Sequence, residues 1–247
     1  MHAPGPRFDS IDTLRGLAIL WMTAFHFCFD LNHFGYLQEN FYSDPFWATQ
    51  RIVITGLFLF CAGLGQAVAM QARQSWPRFW KRWALVVGAA LLVTASSYAM
   101  YPKSFIYFGV LHGIAVMLIV VRLTAGWGAW LWLAGAFVIA IKFIAVEVHF
   151  TWASIDFLNE PRWNWLGLIS RKPITEDYVP LVPWLGVMWW GMAAGQGLLA
   201  KRRLWLAAPL PRITAPLAWL GRWSLAWYML HQPVLIGALM LIGWSRG

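Results

Sequence analysis

Residues 83–102 read WALVVGAALLVTASSYAMYP, a run without a charged side chain. A helix needs about 20 apolar residues to cross the roughly 30 Å hydrocarbon core of a bilayer, and this run has that length. The whole chain has the same character, because its 247 residues are 60% hydrophobic and 12% charged, against about 45–50% and about 25% in soluble domains. These values exclude an ordinary soluble domain and a disordered chain, and they favour an integral membrane protein.

Similar runs on both sides of this one predict an all-α bundle of about seven membrane-spanning helices. The predicted spans are residues 14–36, 52–70, 83–102, 104–121, 123–141, 178–200 and 223–245. Basic residues cluster in the N-terminal segment and in the connections 71–82, 122–127 and 201–216. By the positive-inside rule, the N-terminus is therefore predicted to be cytoplasmic and the C-terminus to lie outside.

This topology explains the net charge of +9, so no nucleic-acid partner is predicted. The basic inner surface is instead predicted to contact membrane lipids. No repeat or linker divides the chain, which is interpreted as a single domain over residues 1–247. Its longest connection, about 149–177, mixes tryptophans with charges and predicts an outer cap or a re-entrant segment. Cys28 and Cys61 lie in predicted spans and are expected to pack rather than to form a disulfide.

The first span differs from the others because it carries ionisable residues on one face. At 100° per residue, the residues that share this face include Asp12, Arg15, Thr23, His26, Asp30 and His33. Ionisable groups are costly inside a membrane, which makes each of them a candidate for function. The alternative is a hydrogen-bonded cluster that only holds helices together. So many polar groups on one face favour a functional site.

His26 and Asp30 are four residues apart, a spacing at which side chains meet on a helix. A carboxylate beside an imidazole fixes its tautomer and stabilises the imidazolium, as a general base requires. His112 and His231 are predicted at comparable depth, and Tyr228 shares a helix face with His231. No metal site is predicted, since the histidines and cysteines lack paired ligand spacing. Arg51, at one end of the second span, is expected either to reach the membrane interface or to bind substrate.

Four segments resemble the bacterial branch of the heparan-alpha-glucosaminide N-acetyltransferase catalytic-domain family. They are FDSIDTLRGLAIL at 8–20, continued by His26 and DLNHFG at 30–35; FGVLHG at 108–113; DYVPLVPWLG at 177–186; and LGRWSLAWYMLHQP at 220–233. The spacing of Arg15 and His26 is also similar to that of membrane acyltransferases that O-acetylate glycans. The resemblance implies a bacterial inner-membrane enzyme that moves an acetyl group from cytoplasmic acetyl-CoA to an amine or hydroxyl of an extracytoplasmic glycan or small-molecule acceptor.

The resemblance and the polar face together assign roles to residues. His26, oriented by Asp30, would act as the base or as an acyl carrier. The animal enzymes of the family have an asparagine at the place of His26 and a later catalytic histidine, so His33 is the alternative. Basic residues would bind the phosphates of coenzyme A: Arg15, Arg73, Arg78, Lys81, Arg82, Lys201, Arg202 and Arg203. The candidate substrate-binding residues are Arg51, His112, Asp177, Tyr228 and His231.

A transporter or lipid flippase is the competing interpretation, in which the same polar face is a proton relay and no group is transferred. The absence of a visible sequence repeat argues against inverted-repeat transporter folds. Consumption of a thioester would favour the enzyme, and proton-coupled uptake would favour the transporter. The sequence leaves the oligomeric state open, with a homodimer among the alternatives.

Overall fold

Long helices dominate the computed structural model, which describes residues 7–151 and 153–244. The helices are α1 Asp9–His33, α2 Pro45–Gln71, α3 Trp76–Met100, α4 Val110–Leu123, α5 Trp130–Thr151, α6 Leu181–Lys201, α7 Arg203–Ala207, α8 Ala215–Arg222 and α9 Ser224–Trp244. Each predicted span overlaps one of the long helices, α1 to α6 or α9. The all-helical prediction is therefore confirmed for the described residues.

Four of these helices have both the length and the apolar composition that crossing a membrane requires: α1, α2, α3 and α9. The helix α4 and residues 130–145 of α5 are apolar but shorter. Large aliphatic side chains are strongly exposed, as in Leu85, Leu91 and Leu241, which are 61–66% exposed. Such exposure is expected where lipid rather than water surrounds the helix. The chain is an integral membrane protein, and seven crossings and the orientation stay predictions.

Several helix boundaries differ from the predicted ones. α3 begins at Trp76 rather than at Trp83, so most of the predicted connection 71–82 forms its first turns. Pro77 suits this position, since a proline in the first turn loses no helical hydrogen bond. α4 begins only at Val110, after an apolar loop that the sequence analysis assigned to a span. The connection after α6 contains α7 and leads into α8, neither of which was predicted.

The chain divides into two compact units. Of the described residues, the first unit comprises 7 and 59–203, with the C-terminal part of α2, α3 to α6 and the first residue of α7. The second comprises residues 8–58 and 204–244 of the described chain, with α1, the N-terminal part of α2, the rest of α7, α8 and α9.

In the first unit, α4 packs against α3 and α6, and α5 packs along α6. The guanidinium of Arg122, at the end of α4, is buried. It donates hydrogen bonds to the side chain and the carbonyl of Gln74, and it lies 4.5 Å and 4.6 Å from the ring centres of Trp76 and Phe79. These contacts hold the turn between α2 and α3 against α4.

The segment predicted as a cap contains two short 3-10 helices, Ala153–Asn159 and Asn164–Leu166, while Trp152 lies outside the described residues. Asn164 is buried and donates a 2.7 Å hydrogen bond to the Tyr107 hydroxyl, and its carbonyl accepts one from Tyr178. Both tyrosines lie outside the helices, and burial raises the pKa of each phenol, so both stay protonated. The described part of this segment is therefore tied to the loop before α4.

In the second unit, α1 packs along α8 and also against α9. Two glycines allow the close approach to α8: a Cβ at Gly221 would overlap the Asp12 carbonyl, and one at Gly16 would overlap that of Leu217. Ile19 and Met22 of α1 form a buried cluster with neighbouring apolar residues of the same unit. One face of α1 is thereby fixed by backbone contact at one end and faces α9 further along.

Candidate functional site

The centre of the candidate site is a pair of histidines from α1 and α9 in the second unit. Nδ1 of His26 lies 2.7 Å from Nε2 of His231, with the two rings tilted by only 15°. His231 is buried and His26 is half-buried. One turn away on α1, Thr23 accepts a 2.9 Å hydrogen bond from the indole of Trp227. The structure thus brings two of the predicted site residues together, although they are far apart in sequence.

Hydrogen bonds fix the tautomers of this pair. Nδ1 of His231 lies 2.8 Å from the carbonyl oxygen of Tyr228 and 3.2 Å from that of Trp227. A carbonyl only accepts, so Nδ1 of His231 carries the hydrogen and, in the neutral ring, Nε2 carries a lone pair. Nδ1 of His26 therefore donates to His231. This leaves the lone pair of His26 on Nε2, which contacts no donor within the described residues.

Asp30 does not bond His26, unlike the pairing that the sequence analysis predicted. The carboxylate is 3% exposed, and its Oδ1 accepts a 2.7 Å hydrogen bond from the side-chain amide of Gln232. The i, i+4 spacing permits the predicted contact, but α9 supplies both a donor to Asp30 and a partner for His26. His231, rather than Asp30, is the hydrogen-bond partner of the His26 ring.

His33 is the last residue of α1, and its side chain is exposed. Its ring meets that of Phe34 edge-on at 5.5 Å, and no hydrogen bond joins it to the described residues. Of the two candidates for the base, His26 is hydrogen-bonded to a second polar side chain, whereas His33 interacts with Asp30 through charge alone.

Arg15 and Arg222 surround a buried carboxylate at the N-terminal end of α1. Arg15 forms an ion pair of 3.2 Å with Asp12, and Arg222 lies 3.9 Å from Asp12 and 3.1 Å from Asp9. Arg222 is the last residue of α8. Arg15 was predicted as a phosphate ligand, and the structure places it in the same unit as the histidine pair and beside a second arginine.

The other predicted phosphate ligands belong to the first unit: Arg73, Arg78, Lys81, Arg82, Lys201, Arg202 and Arg203. All of these side chains are exposed. None forms an ion pair with a carboxylate of the described residues. Their charge is therefore available to an external anion.

His112 and Asp177 lie together in the first unit, at the start of α4. Asp177 accepts a 2.7 Å hydrogen bond from the backbone amide of Val110. Nδ1 of His112 accepts from the amide of Gly109, so its Nε2 donates to Thr94 at 3.0 Å. Both side chains thus satisfy the free amides of a helix N-terminus.

Arg51 and Tyr228, two further predicted substrate ligands, belong to the second unit. Arg51 is half-buried in α2 and has no ion pair or hydrogen bond among the described residues. The Tyr228 ring lies 5.9 Å from that of His231 and packs against the apolar cluster around Ile19. Tyr228 therefore lies beside the pair, whereas Arg51 shares only the unit with it.

Gln232, Trp227 and Arg222 were not predicted as site residues. Gln232 directly follows His231 within an apolar helix, which is itself a signal of a buried polar site. Trp227 shares the helix face of His231, at i−4, but reads as a membrane-belt residue. No group of three or more potential metal ligands occurs within residues 7–151 and 153–244.

Apolar helices that surround a histidine pair, a buried carboxylate and an amide define an integral membrane protein of the all-helical class with a polar cluster inside it. A comparison with known protein families identifies the family of this membrane protein. The chain matches the model of "Heparan-alpha-glucosaminide N-acetyltransferase, catalytic" over residues 7–233 and belongs to that family. It is accordingly a transmembrane acetyltransferase, and enzymes of this family use acetyl-CoA as donor.

Comparisons with curated proteins and with solved structures give no significant match. The family predicted from four short segments is thus confirmed by a match that covers nearly the whole chain, while its bacterial branch stays a prediction.

Proposed function

We propose that the protein transfers an acetyl group from acetyl-CoA to an amine or hydroxyl of an extracytoplasmic glycan or related small molecule, with His26 as the base. Family membership supports the reaction class and the donor. The observation that carries the role of His26 is its hydrogen bond to His231. That bond takes up Nδ1 and leaves Nε2 as the basic nitrogen.

The proposed reaction needs one proton to move twice. Nε2 of His26 takes the proton from the acceptor nitrogen or oxygen, which attacks the thioester carbonyl. The carbon–sulfur bond then breaks, and the thiolate of coenzyme A takes the proton back from His26. The products are an amide or ester and a free thiol. His231 stabilises the intervening imidazolium by accepting its Nδ1–H, as the third group of a catalytic triad does.

Two alternatives use the same residues differently. His26 could become acetylated itself before the acceptor attacks, which would give ping-pong kinetics. His33 could be the base, as the later histidine of the animal enzymes suggests. The hydrogen bond to His231 favours His26.

For the donor, we propose that Arg15 binds a phosphate of coenzyme A, because it belongs to the unit of the histidine pair. Arg73, Arg78, Lys81, Arg82, Lys201, Arg202 and Arg203 are proposed as further phosphate ligands, on the basis of their exposed, unpaired charge.

For the acceptor, we propose Arg51 and Tyr228 as ligands beside the pair. His231 is proposed to orient His26 and to line the acceptor site. His112 and Asp177 remain proposed acceptor ligands, although their hydrogen bonds already hold α4. We further propose that the whole chain acts as one domain in the bacterial inner membrane, with a cytoplasmic N-terminus and anionic lipid at the inner surface.

The test is calorimetry of acetyl-CoA with the purified protein in detergent, beside Arg15→Ala, His26→Ala and His33→Ala. Arg15→Ala is expected to weaken binding about tenfold, the value of one charge-assisted hydrogen bond. His26→Ala is expected to bind normally but to lose acetyl transfer to glucosamine and to glucose, an amine and a hydroxyl probe. Treatment of the product with neutral hydroxylamine distinguishes the two, because it cleaves an ester and leaves an amide intact.

Three results would contradict the proposal. Absence of acetyl-CoA binding in a folded sample would favour the transporter interpretation. Intact transfer in His26→Ala with loss in His33→Ala would reassign the base. Proton-coupled sugar uptake into proteoliposomes without thioester consumption would replace the enzyme with a transporter.

A further inference from the structure

The hydrogen bond between Asp30 and Gln232 leaves two acceptor oxygens without partners. Oδ2 of Asp30 and Oε1 of Gln232 are both buried and have no hydrogen bond. Oδ2 shares the carboxylate carbon with Oδ1 of Asp30, and Oε1 shares the amide carbon with Nε2 of Gln232. The two free oxygens therefore flank the 2.7 Å hydrogen bond between Nε2 and Oδ1. Buried acceptors of this kind are costly, because each loses its hydrogen bonds to water.

The residues that carry the two oxygens follow the histidine pair in both helices. Asp30 follows His26 by one turn of α1, about 6 Å along the helix, and Gln232 is the residue after His231. A group bound by these oxygens would therefore neighbour the atom that reacts at His26. This position suits a substituent of the acceptor beside its reacting group.

Their chemistry restricts what can bind. Gln232 has committed an amide hydrogen to Asp30, and both free atoms only accept. A ligand must therefore bring O–H or N–H donors, whereas a sulfate, phosphate or carboxylate would place its oxygens against them without a proton. The site is complementary to a neutral or cationic, hydroxyl-bearing group and repels an anionic one.

We infer that Asp30 and Gln232 form a specificity site that binds a hydroxyl beside the reacting group of a sugar acceptor and rejects sugars with an anionic substituent at that position. The inference rests on the proposed acetyl transfer and deepens it, since it names the part of the acceptor that is recognised. Asp30 then has a role in acceptor choice rather than in orienting the base.

The test pairs variants with modified sugars. Acetyl transfer to glucosamine is compared with transfer to deoxyglucosamines that each lack one ring hydroxyl and to glucosamine sulfate monoesters, in the wild type and in Gln232→Leu and Asp30→Asn. Gln50→Leu is the matched control, because Gln50 belongs to the same unit and its side-chain oxygen already accepts a hydrogen bond from Trp21.

The wild type and Gln50→Leu are expected to lose about ten- to a hundredfold in kcat/KM with one deoxy sugar and with the sulfate at the same position, as for a hydrogen bond to a charged group. Gln232→Leu and Asp30→Asn should remove most of that difference while acetyl-CoA binding stays unchanged.

The inference is overturned if every deoxy sugar loses the same factor in the variants as in the wild type. It is also overturned if the variants lower only thermal stability, as expected when the two oxygens merely hold a structural water. Failure of the proposed function is a separate result, since the wild type would then consume no acetyl-CoA with any sugar.

Discussion

His26 and His112 are both histidines within apolar helices, yet they differ in how many of their ring nitrogens have a hydrogen-bond partner in the protein. Both nitrogens of His112 have fixed partners, the amide of Gly109 and the hydroxyl of Thr94. His26 has one partner, His231, and one nitrogen left over. A histidine in a membrane helix is therefore better assessed by its unfilled hydrogen-bonding capacity than by its depth.

The comparison extends to the carboxylates beside them. Asp177 accepts from the amide of Val110 at a helix N-terminus, where a carboxylate is stabilised by the helix itself. Asp30 lies inside α1 with one oxygen unsatisfied. The first region is built to hold α4 in place, whereas the second has capacity left for a ligand.

The largest effect should separate the two histidines directly. His26→Gln removes the basic nitrogen and is expected to lower the rate of acetyl transfer by about 10²- to 10⁴-fold, the usual value of a general base. His112→Gln should lower thermal stability and raise at most the KM for the acceptor, with the rate at saturating acceptor nearly unchanged. Transfer rate and melting temperature are measured on the same preparations. If His112→Gln abolished transfer in a folded protein, the comparison would be wrong.

The next prediction concerns the partner of His26. His231→Leu removes the acceptor for Nδ1–H, and we expect a loss in kcat of about tenfold or more through misorientation of the base. His231→Gln offers an amide oxygen in its place and should recover part of that loss, while KM for acetyl-CoA stays constant in both. Equal rates for Leu and Gln would show that His231 acts only through packing.

Part of this comparison could be predicted from the sequence. Helical periodicity placed Thr23, His26 and Asp30 on one face of α1, and each of them bonds a residue of α9. The partners could not be predicted, because a helical pattern identifies a face but not the helix that covers it. Asp30 was consequently assigned to His26 rather than to Gln232.

The fold shows the same limit. Long uncharged runs located the long helices, but hydropathy does not distinguish an apolar loop from a helix, so residues 104–109 were included in a span. Asp177, which accepts a hydrogen bond from the Val110 amide at the start of α4, lies 67 positions from Val110 in sequence. α8 was missed because a helix of eight residues contains no span-length run. Its glycine contacts with α1 depend on tertiary packing alone.

Those glycine contacts test how α1 is held. Gly221→Ala would push a methyl group into the Asp12 carbonyl, and we expect a loss of about 1–3 kcal/mol of stability, typical of overpacking. Gly237→Ala in α9 is the control, since nothing lies within 4 Å of its Cβ position, and it should be neutral or slightly stabilising. Thermal unfolding in detergent measures both. Equal stability of the two variants would mean that α8 can shift along α1 without cost.

The smallest effect should come from the way α4 is held. Asp177→Ala removes the hydrogen bond to the Val110 amide, and the loss of such a cap costs about 0.5–2 kcal/mol. Glu176→Ala is the neighbouring control, because that exposed carboxylate bonds only Ser104 within the described chain and should matter less. If Asp177 merely caps α4, the variant keeps its KM for glucosamine and melts earlier. A raised KM at unchanged stability would instead restore Asp177 as an acceptor ligand, and it would mean that a carboxylate already satisfied by a helix can still serve a substrate.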